Sequence, residues 1–269
     1  MTHMIYVVPS LKAKEKLQSE GKAWAESQGF TYVLRHQRTI QDLMDEYGED
    51  FLVYSSRGPQ IDRPEGSHFF SLNMAELRIQ NLRKGQRDHL LEALMGRGSS
   101  EPPITVLDCT CGFGADAAVA SFGLPTGSRV DALEVSPLLE AVTSWGFSHF
   151  VHKKDDVTAA LRRISLRRGD YRDYLLSDEG PVYDVLYFDP MFQRPVEASC
   201  QFQPVRAIME HGGLTRDLIE RALQKARRRV VIKERDFRQL CRDFPEAVLY
   251  GGKYSRIGYA VLECDSWKK

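Results

Sequence analysis

Asp189-Pro190-Met191-Phe192 closes the longest β-rich run in the chain, Val182 to Phe188, which is apolar apart from Asp184. A long apolar run reads as a central strand, so Asp189 is expected in the crevice at the carboxyl end of a sheet. Proline fixes φ and offers a carbonyl with no competing N–H. An aromatic ring two residues later can lie against a flat base. Together these groups suit chemistry on an exocyclic amine, whose lone pair is delocalised into a ring and which is therefore a poor nucleophile. Hydrogen bonds from the NH₂ to the Asp189 carboxylate and the Pro190 carbonyl would favour a pyramidal nitrogen and absorb its growing positive charge. Phe192 would stack on the ring and hold the nitrogen in line with the bond to be broken. The plainer reading is that Asp-Pro makes a turn.

A second constellation lies upstream, in Asp108-Cys109-Thr110-Cys111-Gly112-Phe113-Gly114-Ala115-Asp116-Ala117. Gly112 and Gly114 allow a sharp turn and close approach of a ligand, with a helix expected just after Gly114. Two cofactors fit. Gly112-x-Gly114-x-x-Ala117, with Glu134 about 20 residues on, satisfies the dinucleotide fingerprint. The same residues fit an S-adenosylmethionine loop, in which an acid ends the strand as Asp108-x-x-x-Gly112-x-Gly114. A carboxylate at Asp108 suits the amino and sulfonium groups of that cofactor and has no task under a pyrophosphate. Glu134 would accept hydrogen bonds from ribose hydroxyls of either. A third element, Gly169-Asp170-Tyr171, offers an acid to an adenine amino group or an N-cap to the short helix Tyr171 to Leu176.

These groups need a sheet to place them. From Ile104 onward, apolar runs at Ile104–Leu107, Val130–Leu133, Ile164–Leu166, Val182–Phe188 and Val230–Ile232 alternate with helical patterns, which predicts a parallel sheet covered on both faces. Ala247–Tyr250 and Ile257–Leu262 are close enough to form a terminal hairpin. Upstream, Ile5–Val8, a helix capped by Ser10, Tyr32–Leu34, the helix Ile40–Tyr47 capped by Thr39, and Phe51–Tyr54 predict a small α/β subdomain, with Gly58-Pro59 as a turn. A helix through about Leu82 and another from Asp88 to near Gly96 connect the two. The predicted division is 1–97 for the N-terminal subdomain and its connecting helices, 98–103 for a linker with two prolines, and 104–269 for the second domain.

Composition narrows the function classes. At 269 residues, with 42% hydrophobic and 28% charged residues, the chain is expected to fold as one large or two modest domains. The 37 basic and 37 acidic residues leave no formal net charge, which argues against a basic wrapper of nucleic acid but not against contact through a local patch. Arg162-Arg163, Arg167-Arg168 and Arg227-Arg228-Arg229 are candidates for such a patch, with solvated helix ends as the alternative. Lys233 stands out because it ends an apolar strand on the crevice side. Arg87 and Asp88 are candidates for closing the cofactor site. No apolar run approaches the roughly 20 residues of a membrane span, and five cysteines without a secretory signal favour reduced thiols and a cytoplasmic location. Cys109-Thr110-Cys111 lacks partners for a zinc site, so no metal is expected.

With these motifs in view, the chain resembles the RsmJ-type methyltransferases of small-subunit ribosomal RNA, which modify guanine N2. The resemblance rests on Asp108 to Asp116, Leu133-Glu134, Asp189 to Phe192 and Arg229-Val230-Val231-Ile232-Lys233, within residues 104 to 263. It implies a class I, Rossmann-like, seven-stranded α/β fold, S-adenosylmethionine as cofactor and ribosomal RNA, or the small ribosomal subunit, as partner. It also implies cofactor contacts at Ala115-Asp116, Glu134-Val135, Asp170-Tyr171 and Asp189. Where that family continues with a lysine-rich stretch, this chain has Gln193-Arg194-Pro195-Val196-Glu197, and Glu234 replaces an arginine after Lys233. A small-molecule methyltransferase, an NAD-binding oxidoreductase and a non-catalytic binding module are the competing expectations.

Overall fold

The computed structural model describes residues 4–96, 102–190, 213–251 and 257–264. They form two compact units. The first takes the chain as far as Ser71 together with Ser136–Phe150; the second takes Leu72–Val135 and most of the chain after Val151.

In the first unit, β1 (Tyr6–Pro9), α1 (Glu15–Ser27), β2 (Thr31–Tyr32), α2 (Ile40–Tyr47) and β3 (Phe51–Ser55) follow in the predicted order. The sheet order is β2-β1-β3-β4-β5, with β1 parallel to both neighbours. Parallel neighbours need a crossover, which the two helices supply. The Thr39 hydroxyl accepts from the Asp42 N–H while Asp42 accepts from the Thr39 N–H, a reciprocal cap that fixes the start of α2. Ser10 does not cap α1. Its carbonyl accepts from Ala13 in a separate turn, and the helix starts at Glu15.

Two strands exceed the sequence reading. Gly58-Pro59 does not merely turn the chain but begins β4 (Gly58–Arg63), which pairs antiparallel with β3 and with β5 (Gly66–Phe69). Every residue of β4 is buried, including Gln60, Asp62 and Arg63. Gln60 Nε2 donates to both Asp62 carboxylate oxygens at 2.8 and 2.9 Å, so polar side chains can sit inside. The helix α6 (Pro137–His149), capped by Ser136, packs on β4.

The second unit carries the helices α3 (Asn73–Arg83) and α4 (His89–Met95), followed by a seven-stranded sheet. Its strands are β6 (Thr105–Asp108), β7 (Arg129–Glu134), β8 (Ile164–Arg168), β9 (Val185–Phe188), β10 (Arg229–Glu234), β11 (Val248–Gly251) and β12 (Gly258–Glu263). They lie in the order β11-β12-β10-β9-β6-β7-β8. Neighbours among β6 to β10 pair in parallel, and β12 pairs antiparallel with β10 and β11, the expected terminal hairpin. α3 and α4 pack against α5 (Ala115–Gly123), and α4 also against β10, β11 and β12. They group with this sheet, so the units part between Ser71 and Leu72 rather than at 98–103. From β6 the chain crosses to β7 on one side and later to β9 on the other. The crevice for a ligand opens where the order reverses, at the carboxyl ends of β6 and β9.

Candidate active site

Strand register assembles the site. β9 and β10 run in parallel with Phe188 opposite Ile232. One residue on, Asp189 and Lys233 therefore lie side by side, and Lys233 Nζ donates to Asp189 Oδ2 at 2.7 Å. The same ammonium donates to Asp116 Oδ2 at 2.8 Å, in the first turn of α5. Asp116 is enclosed: Tyr187 of β9 donates its hydroxyl to Oδ2 at 2.7 Å, and Arg78 of α3 binds Oδ1. Arg78 then grips both oxygens of Asp88 at 2.7 and 2.8 Å, while Asp88 caps α4 through the N–H groups of Leu90 and Leu91. Asp88 thus belongs to this network. Arg87 does not: its side chain is 89% exposed and faces Glu92.

The glycine loop is tied to the strands on both sides. Cys109 N donates to the Tyr187 carbonyl and Cys111 N to the Leu133 carbonyl, both at 2.9 Å. Thr110 joins two acids, donating its N–H to Asp108 Oδ1 at 3.0 Å and accepting the Asp189 N–H on its hydroxyl at 2.7 Å. Glu134, at the end of β7, accepts the Gly112 N–H at 2.8 Å. Gly112 and Gly114 have φ of +53° and +74°, the left-handed region where a Cβ is strained. Among the described residues, a Cβ built on Gly112 would meet the Thr110 carbonyl alone, at 4.0 Å. Ala115 opens α5, the helix expected just after Gly114, and Val135 follows Glu134 at the end of β7.

Asp170 caps α8 (Tyr171–Leu176) through the Arg172 N–H and also receives the Arg172 guanidinium. Tyr171 is buried, edge-on to Phe188 with ring centroids 5.4 Å apart. The capping role is therefore realised, and an adenine contact would be additional. Pro190 follows Asp189 at the strand end, whereas Met191 and Phe192 lie outside the described residues. The basic clusters divide. Arg228 pairs with Asp184 and buried Arg229 with Glu263, so these two are structural, while Arg167 and Arg168 are exposed on edge strand β8.

Burial and charge set the protonation states. Burial pushes the Asp108 carboxyl well above its ordinary range, with Asp116 and Asp189 adding repulsion. Burial also pushes Asp189 up, to about 6, with Lys233 opposing and Asp116 reinforcing. Burial acts the same way on Asp116, but the charges of Lys233 and Arg78 outweigh it and hold this carboxyl far below the usual range. Asp108, Asp116, Glu134 and Asp189 thus gather near the loop against two cations, Arg78 and Lys233. That donor set fits a ligand with cationic groups, such as the amino and sulfonium groups of S-adenosylmethionine, and would repel a pyrophosphate.

Arg78, Thr110 and Tyr187 escaped the sequence reading. For Thr110 a signal existed, since it lies inside the loop motif. Arg78 carries none, being 38 residues from Asp116.

Comparison with known proteins agrees with this geometry. A family model described as "Putative SAM-dependent methyltransferase" matches residues 66–258, well over half of the chain. The uncharacterized protein YpiP of Bacillus subtilis is 29% identical over 229 residues, covering 85% of this chain and 88% of that protein. A protein of Thioalkalivibrio sulfidiphilus named ribosomal RNA small subunit methyltransferase J is 31% identical over 161 residues, covering 58% of this chain and 61% of its own length. Among solved structures, the SAM-dependent methyltransferase NGO1261 of Neisseria gonorrhoeae superposes with a TM-score of 0.61 at 16% identity, covering 96% of this chain and 95% of that one. The acid-rich glycine loop, the seven-stranded sheet and the family match lead to one conclusion: the chain belongs to the SAM-dependent methyltransferase family, with S-adenosylmethionine as its cofactor.

Proposed function

We propose that this protein transfers a methyl group to an exocyclic amine of an RNA base, with guanine N2 of ribosomal RNA as the leading target. The observation that carries the proposal is Asp189, held by Thr110 and Lys233 at the carboxyl end of a central strand and followed by Pro190. The relatives named for ribosomal RNA support the choice of RNA. A ribosomal substrate would place the enzyme in the cytoplasm.

When bound, S-adenosylmethionine supplies a methyl group on an electron-poor sulfur. The chain's own residues do the rest. Gly112, Gly114, Ala115 and Asp116 form the loop and first helical turn that receive the cofactor, with Asp108 toward its cationic end. Glu134 and Val135 hold the ribose, and Asp170 and Tyr171 border the adenine. Asp189 Oδ2 is taken by Lys233, and Oδ1 has no partner among the described residues, which leaves it to accept an acceptor N–H. The Pro190 carbonyl accepts the second N–H, and Phe192 stacks on the base. As the nitrogen gains positive charge, the adjacent carboxylate stabilises it, and no strong general base is needed because the methylated nitrogen loses its proton readily.

The test is transfer of labelled methyl from S-adenosylmethionine to total RNA and ribosomal subunits from a strain lacking the protein, with Asp189→Ala in parallel. Label entering one RNA species, and lost in the variant, is the expected result. Label that enters only small metabolites, or that survives Asp189→Ala, overturns the proposal.

A further inference from the structure

We propose that Lys233 is a positioning residue for methyl transfer: anchored on Asp116, its ammonium grips one oxygen of Asp189 and leaves the other as a charged acceptor for the amine. This rests on the reading of Asp189 given above.

The argument begins with how the charges are strung together. Asp88, Arg78, Asp116, Lys233 and Asp189 alternate in sign, each within hydrogen-bond reach of the next. Three acids and two bases leave one negative charge. Both oxygens of Asp88 and both of Asp116 are occupied, whereas among the described residues Asp189 is bound on Oδ2 alone. The uncompensated charge therefore falls on Asp189 Oδ1. Asp189 is also the most open of the five, with its side chain 30% exposed against 26% for Arg78 and 13% or less for the others. A buried ammonium clamped between two carboxylates has little rotational freedom, and it transmits that restraint to the carboxylate it holds.

Its second effect is on ionisation. The groups facing this cluster are Asp108 at the end of β6, Asp116 on α5, Arg78 on α3, Tyr187 on β9, Glu234 on β10 and Tyr259 on β12. Burial, Asp116 and Glu234 all push the Asp189 carboxyl upward, and Lys233 is its adjacent counter-charge. Without that ammonium, Asp189 would hold its proton to higher pH. A protonated carboxyl neither accepts the amine N–H as strongly nor stabilises the cation forming on nitrogen. Each further unit of upward shift lowers the ionised fraction roughly tenfold at a pH below the midpoint.

The experiment compares the full chain with Lys233→Met, Lys233→Gln and Lys233→Arg, each first checked for a cooperative thermal melt. The Asp189 carboxyl is followed by ¹³C NMR across pH and assigned with Asp189→Asn. The expected result is a midpoint at least about one unit higher in the Met and Gln variants, and near that of the parent in the Arg variant. In labelled transfer to small ribosomal subunits, the neutral variants should lose kcat at pH 7 in step with the ionised fraction, about twofold for a one-unit shift and about tenfold for two, and recover part of it as pH rises. Their KM for S-adenosylmethionine should stay within about threefold. An unchanged Asp189 midpoint in both neutral variants overturns the proposal, whatever the substrate. If the parent transfers no methyl to RNA while the Asp189 midpoint moves as expected, the RNA reading fails and the Lys233 assignment stands.

Discussion

Replacing Asp108 by Asn should make the folded protein more stable and the cofactor bind less tightly. Asp108 is buried and, among the described residues, receives one hydrogen bond, from the Thr110 N–H to Oδ1 at 3.0 Å. Asn presents an oxygen for that N–H and an NH₂ where the protonated acid has its O–H, so shape and bonding are kept. The difference is in titration. Burial, with repulsion from Asp116 and Asp189, holds the native carboxyl well above its ordinary range. Well below pH 4 both folded and unfolded chains carry the proton and the group has no net effect. As pH rises, the unfolded chain releases its proton while the folded one retains it, so stability falls by about 1.4 kcal/mol per pH unit until the native carboxyl titrates. Asn carries no such penalty. At pH 7.5 the variant should therefore be the more stable of the two, by a margin that has grown with pH since the unfolded carboxyl began to titrate, and at pH 4 the two should agree to within about 0.5 kcal/mol. Urea unfolding followed by circular dichroism at both pH values measures this directly. Calorimetric titration with S-adenosylmethionine should show weaker binding by the variant, since the ligand's cationic groups would favour the ionised Asp108, whose proton leaves to solvent, and would pair with the carboxylate. A gap that does not grow between pH 4 and 7.5, or a less stable variant at neutral pH, would refute the reasoning about burial.

Asp116→Asn should behave in the opposite sense. It leaves Arg78 and Lys233 facing a neutral amide in the interior and should cost about 3–5 kcal/mol at pH 7. Because the native Asp116 carboxyl lies below its ordinary range, its stabilisation is complete above the unfolded pKa of about 3.9 and is lost as pH falls through the native value, so the cost should shrink at pH 3. Equal costs in urea at pH 3 and 7 would contradict the pairing. Glu134→Ala should weaken S-adenosylmethionine binding by roughly 1–3 kcal/mol, through lost ribose hydrogen bonds and release of the Gly112 N–H. Unchanged affinity by calorimetry would remove Glu134 from the cofactor site.

What could be read from the sequence follows from where its information is local. The ends of β6, β7 and β9 are marked by an abrupt change from apolar residues to an acid, at Asp108, Glu134 and Asp189, so the acids of the crevice were legible one strand at a time. Lys233 was legible in the same way. That it touches Asp189 was not, because contact depends on the register of β10 against β9. Arg78 was invisible for a related reason. Its partners, Asp88 and Asp116, are set by how α3 packs against α5, and no periodicity records that packing. In the first unit, β4 was hidden by its own composition. Gly58-Pro59 looks like a turn, and Gln60, Asp62 and Arg63 break the apolar alternation of a buried strand, although they are buried as a bonded set.

The helix α6 shows how far sequence order can mislead about what packs together. It lies between two strands of the seven-stranded sheet in the chain, yet it groups with the five-stranded sheet. Two glycines make that packing possible. Trp145 covers Gly58, where a Cβ would come within 2.5 Å of the indole, and Phe70 covers Gly146, where a Cβ would fall 1.9 Å from the ring. Phe70 also meets Phe147 and Phe150 edge-on, with centroids 5.6 and 5.5 Å away. Gly146 lies inside a helix, where replacement by Ala ordinarily stabilises by about 1 kcal/mol. Here the added methyl collides with a buried ring that has other rings around it, and overpacking of that kind typically costs about 1–3 kcal/mol. The collision should win, and Gly146→Ala should lower the urea midpoint. A raised midpoint would mean that Phe70 does not sit on this helix. The same packing predicts that a fragment of residues 1–97, the natural cut by sequence alone, lacks the helix that covers β4 and melts without a cooperative transition. A sharp melt of that fragment would show instead that the five-stranded sheet closes its core without α6.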